Sequence, residues 1–129
     1  MRNLGRAVLP LLLLAGAGCG REKSTDELVA DLKSSEEHDR IFAVRSLPLR
    51  RGDAAQVVPA LIGALKDDDG DVRRSAAIGL GCFGEQAKDA VPGLQAVLHD
   101  RDARVRESAG VALSRIDPTR FPPPKPRGK

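Results

Sequence analysis

The feature that most constrains this 129-residue chain is one stretch that occurs twice. Residues 58–80 read VPALIGALKDDDGDVRRSAAIGL, and residues 91–113, aligned without a gap 33 positions later, read VPGLQAVLHDRDARVRESAGVAL. The identical pairs include Pro59/Pro92, Leu61/Leu94, Leu65/Leu98, Asp67/Asp100, Asp69/Asp102, Val72/Val105, Arg73/Arg106, Ala76/Ala109 and Leu80/Leu113. A repeat of this length is a supersecondary unit that buries its apolar face only against its neighbours. The pattern therefore predicts a solenoid.

A third, less regular copy precedes these two. The same offset places five matching residues upstream, namely Leu28, Leu32, Arg40, Ala43 and Leu47. Asp26 stands where the other copies have proline, and Asp39 where they have valine. These polar replacements are typical of an end cap. The predicted repeat domain is thus 27–117, with units 27–52, 53–85 and 86–117.

Apolar residues at helical spacing predict two helices in each unit, and hence an all-α fold. Two capping boxes predict the first pair at 25–33 and 36–49, and they are Ser24 with Glu27 and Ser34 with Glu37. Three aspartates are predicted N-caps of later helices: Asp69, Asp89 and Asp102. Pro59 is expected in the first turn of its helix, and Gly84 is expected to end one. The predicted buried stripes are Val72, Ala76, Leu80 and Phe83, followed by Val105, Ala109, Leu113 and Ile116.

The recurring phrase D-x-D-x-x-V-R-x-x-A-x-x-x-L resembles HEAT repeats, and it is most similar to the short bacterial type also found in phycobilisome lyases. The resemblance covers about 90 residues, from Leu28 to Asp117. It implies stacked antiparallel helix pairs, an α-solenoid in which the second helices line a concave face. It also implies a structural ladder of hydrogen bonds between units. By position, the ladder residues are Asp67, Asp69, Arg73, Asp100, Asp102 and Arg106, with Arg40 as its start.

The N-terminus has the order of a secretory signal. Arg2 and Arg6 precede an apolar run at 7–14 that is too short to span a bilayer. The following AGAGC resembles the processing box of bacterial lipoproteins, in which the cysteine, here Cys19, is lipidated, although Gly16 departs from the usual aliphatic residue. This predicts a signal peptide at 1–18 and an exported, envelope-anchored protein. Ordinary secretion, an uncleaved anchor and a disulfide between Cys19 and Cys82 remain alternatives.

Two polar segments flank the predicted domain. Residues 19–26 are expected to form a short tether, and residues 118–129, rich in proline and basic residues, a disordered tail. The mature chain keeps 19 of the 21 basic side chains against 18 acidic ones, so its net charge is small. With three phenylalanines and no tryptophan or tyrosine, the chain has few side chains on which bases could stack, and we expect no nucleic-acid partner.

No motif indicates catalysis or metal binding. In a calcium loop that starts at Asp67, the sixth and twelfth positions should be glycine and glutamate but are Val72 and Ile78. His38 and His99 occupy different repeat positions. Phosphate loops, metalloprotease helices and G-x-S-x-G are absent from the sequence. The sequence therefore predicts no catalytic residue, metal, cofactor or small-molecule substrate.

Outward-facing positions of the second helices are the candidate binding surface. Ile78 and Val111 are equivalent in the repeat, and both are apolar where a solvated face would be polar. The candidate partner-binding residues are Arg74, Ile78, Arg104, Glu107 and Val111. The alternative is that these side chains only complete helix packing.

Together these patterns predict a non-enzymatic scaffold or adaptor for another protein, lipid-anchored at a bacterial envelope. The alternatives are an accessory subunit of a larger envelope complex, a polyanion or nucleic-acid binder, and a lyase-type enzyme.

Overall fold

A computed structural model describes residues 20–126 and 128. Within these residues, six α-helices follow one another in three pairs: α1 (Thr25–Asp31) and α2 (Glu37–Ser46), α3 (Ala54–Ala64) and α4 (Gly70–Phe83), α5 (Val91–Val97) and α6 (Ala103–Ile116). Short 3-10 turns at Leu47–Leu49, Arg51–Asp53 and Gly84–Ala90 connect the pairs. The described residues contain no strand. The predicted all-α solenoid of three helix pairs is confirmed.

The second helix of each pair forms the spine of the stack. Helix α4 packs against α2 on one side and α6 on the other, while each first helix packs on its own partner. All eight residues of the two predicted stripes are buried, including Leu80 and Leu113 at 0% and 1% exposure. Since burying one such side chain contributes about 1.5–3 kcal/mol, the stripes account for much of the stability.

Glycines set how closely the second helices approach. A Cβ on Gly79 would lie 2.7 Å from Cγ of Pro48, across the seam between α2 and α4. Across the seam between α4 and α6, a Cβ on Gly81 would lie 3.1 Å from Cα of Ala112. In the repeat register Pro48 corresponds to Gly81, and Gly79 to Ala112. Each seam therefore has one glycine. The later unit contributes it at the first seam, and the earlier unit contributes it at the second.

Most helix ends agree with the sequence patterns. The Ser24/Glu27 capping box forms, Asp69 and Asp102 cap α4 and α6, and Gly84 ends α4 with a φ of 55°. The predicted Ser34/Glu37 box is wrong: Ser34 accepts from the backbone N–H of Glu36 at 3.1 Å, and Glu36 itself precedes α2. The hydroxyl thus closes the turn before the helix instead of capping it.

Two further expectations were wrong. Asp89 does not cap α5, because the 3-10 turn runs on to Ala90 and the helix begins directly after it. Pro59 lies inside α3 rather than in its first turn, because that helix already begins at Ala54. Pro92, its equivalent, does lie at the start of α5.

Both flanking segments contact the repeat units. Lys23, in the predicted tether, donates to the carboxylate of Asp31 at 2.6 Å, and α1 begins two residues later. Beyond α6, the backbone N–H of Phe121 donates to the carbonyl of Asp117 at 2.9 Å, and the half-buried ring packs on the core. Described residues on both sides of the predicted 27–117 domain therefore contact the repeat units.

Candidate functional site

Arginines link successive units through the turns between helices. Arg73 on α4 donates from Nε and Nη2 to the two carboxylate oxygens of Asp100, at 2.8 and 2.9 Å. Its Nη1 donates to the carbonyl oxygens of residues 67 and 68, in the turn of its own unit. One guanidinium therefore holds its own interhelical turn and the next one, as a planar fork of donors permits.

The same arrangement occurs one unit earlier. Arg40 donates to Asp67 from Nε at 3.0 Å and from Nη2 at 3.5 Å, and its Nη1 reaches the carbonyls of Ser34 and Ser35. The Arg40–Asp67 and Arg73–Asp100 pairs are called the inter-unit ladder below. Each aspartate also accepts a hydrogen bond at 2.9 Å from the backbone N–H two residues later, which closes its turn.

Arg106 is the equivalent arginine of the last unit. Its Nη1 donates to the carbonyls of Asp100 and Arg101, at 2.7 and 3.3 Å, as Arg73 does in its own unit. Within residues 20–126 no carboxylate binds its other nitrogens, and the side chain is exposed. Of the predicted ladder residues, Asp69 and Asp102 act as helix caps and Arg106 only braces its own turn.

The ladder shifts the ionisation of its members. The hydrogen bond from Arg73 holds the pKa of Asp100 below its usual value, against the opposing effect of burial. The same bond raises the pKa of Arg73. Hydrogen bonds from the side chain and then the backbone of Arg104 lower the pKa of Asp102 to about 2. These carboxylates therefore stay ionised down to acidic pH, as structural ion pairs do.

All five predicted partner-binding residues line one surface groove. It runs between α4 and α6, with a volume of about 280 Å³. Its lining residues, called the α4/α6 groove below, are Arg74, Ile78, Gly81, Arg104, Glu107, Ser108, Val111, Ala112 and Arg115. The stacking of α4 on α6 brings the two helices' outward positions side by side, although they are about 33 residues apart in sequence. The alternative that Ile78 and Val111 are needed for packing is weakened by their exposure of 42% and 44%.

The groove combines apolar floor and positive charge. Arg104 pairs with Asp102 at 2.9 Å and with Asp71 of the preceding unit at 3.1 Å, so its charge is compensated locally. In the described part of the chain, no carboxylate lies within 4 Å of the guanidinium of Arg74 or Arg115. The carboxylate of Glu107 likewise has no basic group of these residues within 4 Å. The uncompensated charge along the groove is therefore positive, with two arginines against one glutamate.

A second exposed apolar surface lies at the other end of the array. Phe42 and Leu49 are 48% and 79% exposed, and together with Ile78 and Val111 they are the exposed large hydrophobic residues of the described chain. Sequence analysis missed both. The repeat register could have indicated this exposure, because large apolar residues of the first unit stand where the other units have small or polar ones. The equivalents of Phe42 are Ser75 and Ser108, and those of Leu49 are Cys82 and Arg115.

Other singled-out residues show no shared site. Cys82 is half-buried near the end of α4, and its carbonyl accepts a hydrogen bond from Arg51 at 2.6 Å. Cys19 and the predicted signal peptide lie outside the described residues, so lipidation and a Cys19–Cys82 disulfide both stay predictions. Among the helices described, none is long and apolar enough to cross a membrane.

Comparison with known proteins agrees with this geometry. The family profile of HEAT repeats matches residues 25–114. No curated protein matches the chain. A solved structure, a chain in the complex of CpcE and CpcF of phycocyanin lyase from Nostoc sp. PCC7120, is similar with a TM-score of 0.68 and 33% identity. The match covers 78% of this chain but only 40% of that one, so the present chain spans well under half of its structural relative.

Proposed function

The chain belongs to the HEAT repeat family, and on that premise we propose that it binds another protein through the α4/α6 groove. HEAT repeats suggest a protein-interaction scaffold. The observation that carries the proposal is the exposure of Ile78 and Val111, at equivalent positions of adjacent helices, in one groove. Exposed apolar side chains bordered by charge are the usual composition of a protein contact surface.

The charges of the groove indicate the chemistry of the partner. Arg74 and Arg115 flank the two aliphatic side chains and contact no carboxylate among residues 20–126. An arginine that is free to form a two-pronged bond to a carboxylate favours acidic partners. We therefore propose a partner segment with two or three apolar side chains and acidic residues beside them.

The proposed role is non-enzymatic. The groove contains arginines, one glutamate and aliphatic or small side chains, a set suited to recognition rather than to nucleophilic or acid–base chemistry. The similar chain belongs to a complex of two different proteins, which supports binding to a protein partner. Because this chain spans 40% of that relative, a lyase activity is not part of the proposal.

We further propose that Cys19 carries a lipid that anchors the protein at a bacterial envelope. The support is the order of the N-terminal sequence: basic residues, an apolar run and small residues before the cysteine. Anchoring raises the local concentration of the groove near membrane partners. If the partner is bound permanently, the protein would be an accessory subunit of a larger envelope complex.

Site-specific crosslinking tests the groove. A photo-reactive amino acid at position 78 or 111 of the full chain, in its native cells, is expected to yield one discrete crosslinked product. The control is position 96, which is exposed on α5, away from the groove. Ile78→Glu combined with Val111→Arg should abolish the product from a photo-reactive residue at position 108. Equal crosslinking from position 96, or none from 78 and 111, would contradict the proposal.

Metabolic labelling tests the anchor separately. Radiolabelled fatty acid is expected to enter the wild-type chain and to be absent from Cys19→Ser. Cys82→Ser is the matched control, since it alters the other cysteine and should keep the label. Equal labelling of the wild type and Cys19→Ser would exclude lipidation at this residue.

A further inference from the structure

The outer side of the first unit is apolar, whereas the outer side of an ordinary end cap is polar. Terminal repeats need a polar outer face, because no neighbour covers it. Here Phe42 and Leu49 are large and apolar, whereas the second and third units have small or polar side chains at the same two register positions. Ser108 and Arg115 at these positions line the side of α6 that faces α4. Phe42 and Leu49 thus point away from the rest of the array.

The entering chain crosses this same end. Arg50 donates from Nη2 to the carbonyl of Lys23 at 2.8 Å and pairs with the carboxylate of Glu22 at 3.2 Å. The ammonium of Lys23 lies 5.6 Å from the centre of the Phe42 ring. These contacts fix residues 22–23 beside the two exposed apolar side chains, around a depression of about 310 Å³. This surface, Phe42 and Leu49 with the crossing segment 21–23, is called the entry surface below.

The entry surface lies close to the proposed lipid attachment. Cys19 is four residues before Lys23, and an extended chain spans at most about 3.6 Å per residue, or about 14 Å in all. A lipid on Cys19 would therefore keep Lys23, and with it the entry surface, within about 14 Å of the lipid-attached residue and so close to the headgroups. Of the two surfaces described, only this one is held near the membrane by chain length alone.

Another repeat unit is a poor fit for this end. At each inner seam an arginine of the preceding unit binds an aspartate, Asp67 or Asp100, in the next turn. The first unit has Ser34 at this position, and its hydroxyl is engaged with Asp39 and the backbone of Glu36. A preceding unit, including one from a second copy, would find no carboxylate for its ladder arginine. The occupant is therefore one that needs no such bond.

We propose that the entry surface rests on the lipid bilayer, with Phe42 and Leu49 inserted at the level of the headgroups; this rests on the proposed anchor at Cys19. Exposed phenylalanine and leucine are the side chains that interfacial segments bury. The basic residues that line the depression are compensated: Arg21 pairs with Glu27, Lys23 with Asp31 and Arg50 with Glu22. The contact is thus apolar, and it does not depend on anionic lipid.

This orientation holds the α4/α6 groove above the membrane surface. The first unit is proximal and the third is distal, with each seam adding the 8–10 Å of a helix-to-helix spacing. A partner in the groove would then be held roughly 10–20 Å above the headgroups. The groove is accordingly placed for a soluble partner or the extramembrane part of an envelope protein.

Single-tryptophan quenching tests the orientation. Because the chain has no tryptophan, Phe42→Trp and Val111→Trp each introduce one fluorophore at a site of similar exposure, 48% and 44%. The full acylated chain of each variant is reconstituted with phosphatidylcholine vesicles whose acyl chains are brominated near the headgroup. We expect emission from position 42 to fall about twofold relative to unbrominated vesicles, and emission from position 111 to stay unchanged. Replacing part of the phosphatidylcholine with phosphatidylglycerol should change neither result.

The outcomes separate the orientation from the anchor. Protein that sediments with vesicles while position 42 is not quenched would overturn the bilayer contact and leave the anchor intact. Quenching only in phosphatidylglycerol vesicles would overturn the apolar contact in favour of a charged one. Protein that stays in the supernatant would overturn the anchor, and the orientation with it. Circular dichroism of both variants checks that each substitution leaves the helices folded.

Discussion

The guanidinium of Arg73 binds both carboxylate oxygens of Asp100 across the seam between the second and third units, with both side chains less than a tenth exposed. A buried charge that loses its partner is costly, by about 3–5 kcal/mol in comparable pairs. The pair therefore makes the folding of the third unit depend on contact with the second. The polar interhelical turns are therefore part of the scaffold.

Removal of the ladder arginine should be far more damaging in the middle of the array than at its end. We expect Arg73→Ala to lower the free energy of unfolding by about 3 kcal/mol, because Asp100 would remain buried without a partner. The matched control is Arg106→Ala, at the same register position, which should cost about 1 kcal/mol or less because only hydrogen bonds to carbonyls are lost. Urea denaturation of both variants measures the difference, and equal losses would contradict a ladder role for Arg73.

Acid should weaken the protein through the same carboxylates. Asp100 and Asp102 have pKa values below the ordinary 3.8 in the folded protein, so the unfolded chain binds protons more readily. Their stabilising contribution is therefore complete well above pH 3.8 and is lost as the pH falls towards about 2, the pKa of Asp102. The melting temperature should fall as the pH drops below about 4.

The variant Asp100→Asn isolates one part of this effect. It should melt at a lower temperature than the wild type at neutral pH, because the ion pair is lost. It should also lose less stability on acidification, because one titrating carboxylate is gone. Parallel pH profiles for the two proteins would show that Asp100 does not contribute to the acid sensitivity.

A carboxylate should destabilise the protein strongly on the buried face of α4 and very little on its exposed face. Leu80→Asp is expected to unfold the array, because the side chain is fully buried and a carboxylate there has no partner. Ile78→Asp, two residues away on the same helix and 42% exposed, should change the free energy of unfolding by about 0.5 kcal/mol or less. Thermal melting followed by circular dichroism compares them; cooperative melting of Leu80→Asp near the wild-type temperature would contradict the packing described.

A methyl group at Gly81 should strain the seam between α4 and α6. Its Cβ would lie 3.1 Å from Cα of Ala112, a backbone atom that moves only with its helix. We expect Gly81→Ala to destabilise the protein by about 1–3 kcal/mol. Gly63→Ala is the control, since no other atom lies within 4 Å of its Cβ and alanine favours helix; it should be neutral or stabilising by up to about 1 kcal/mol. A stable Gly81→Ala protein would mean that the helices can separate without cost.

Much of this molecule could be predicted from its sequence because the repeat register supplies tertiary information. Three units in register indicate which residues are equivalent, and hence that Val72 and Val105, or Leu80 and Leu113, occupy similar environments. The buried stripes, the caps at Asp69 and Asp102, and the grouping of Ile78 with Val111 follow from this equivalence. Lipidation of Cys19 and the roles of the groove residues in binding remain predictions.

What the register could not supply are the places where units differ. The Ser34/Glu37 box and the cap at Asp89 were wrong because several residues near a helix start can close the preceding turn, and small differences in turn geometry decide among them. The exposure of Phe42 and Leu49 was missed because it arises from the missing neighbour of the first unit. In the third unit the equivalent positions face the preceding unit. The role of Gly79 and Gly81 could not be predicted, because it depends on residues across the seam.

Because the glycine lies on a different side of each seam, the units of this array are not interchangeable. Deleting the second unit would bring Pro48 against Ala112, two residues that each now face a glycine. Duplicating the second unit would instead set Gly81 of one copy opposite Gly79 of the next, which would leave a gap and forfeit van der Waals contact. An engineer who wished to lengthen or shorten this array would have to redesign one residue at every new junction.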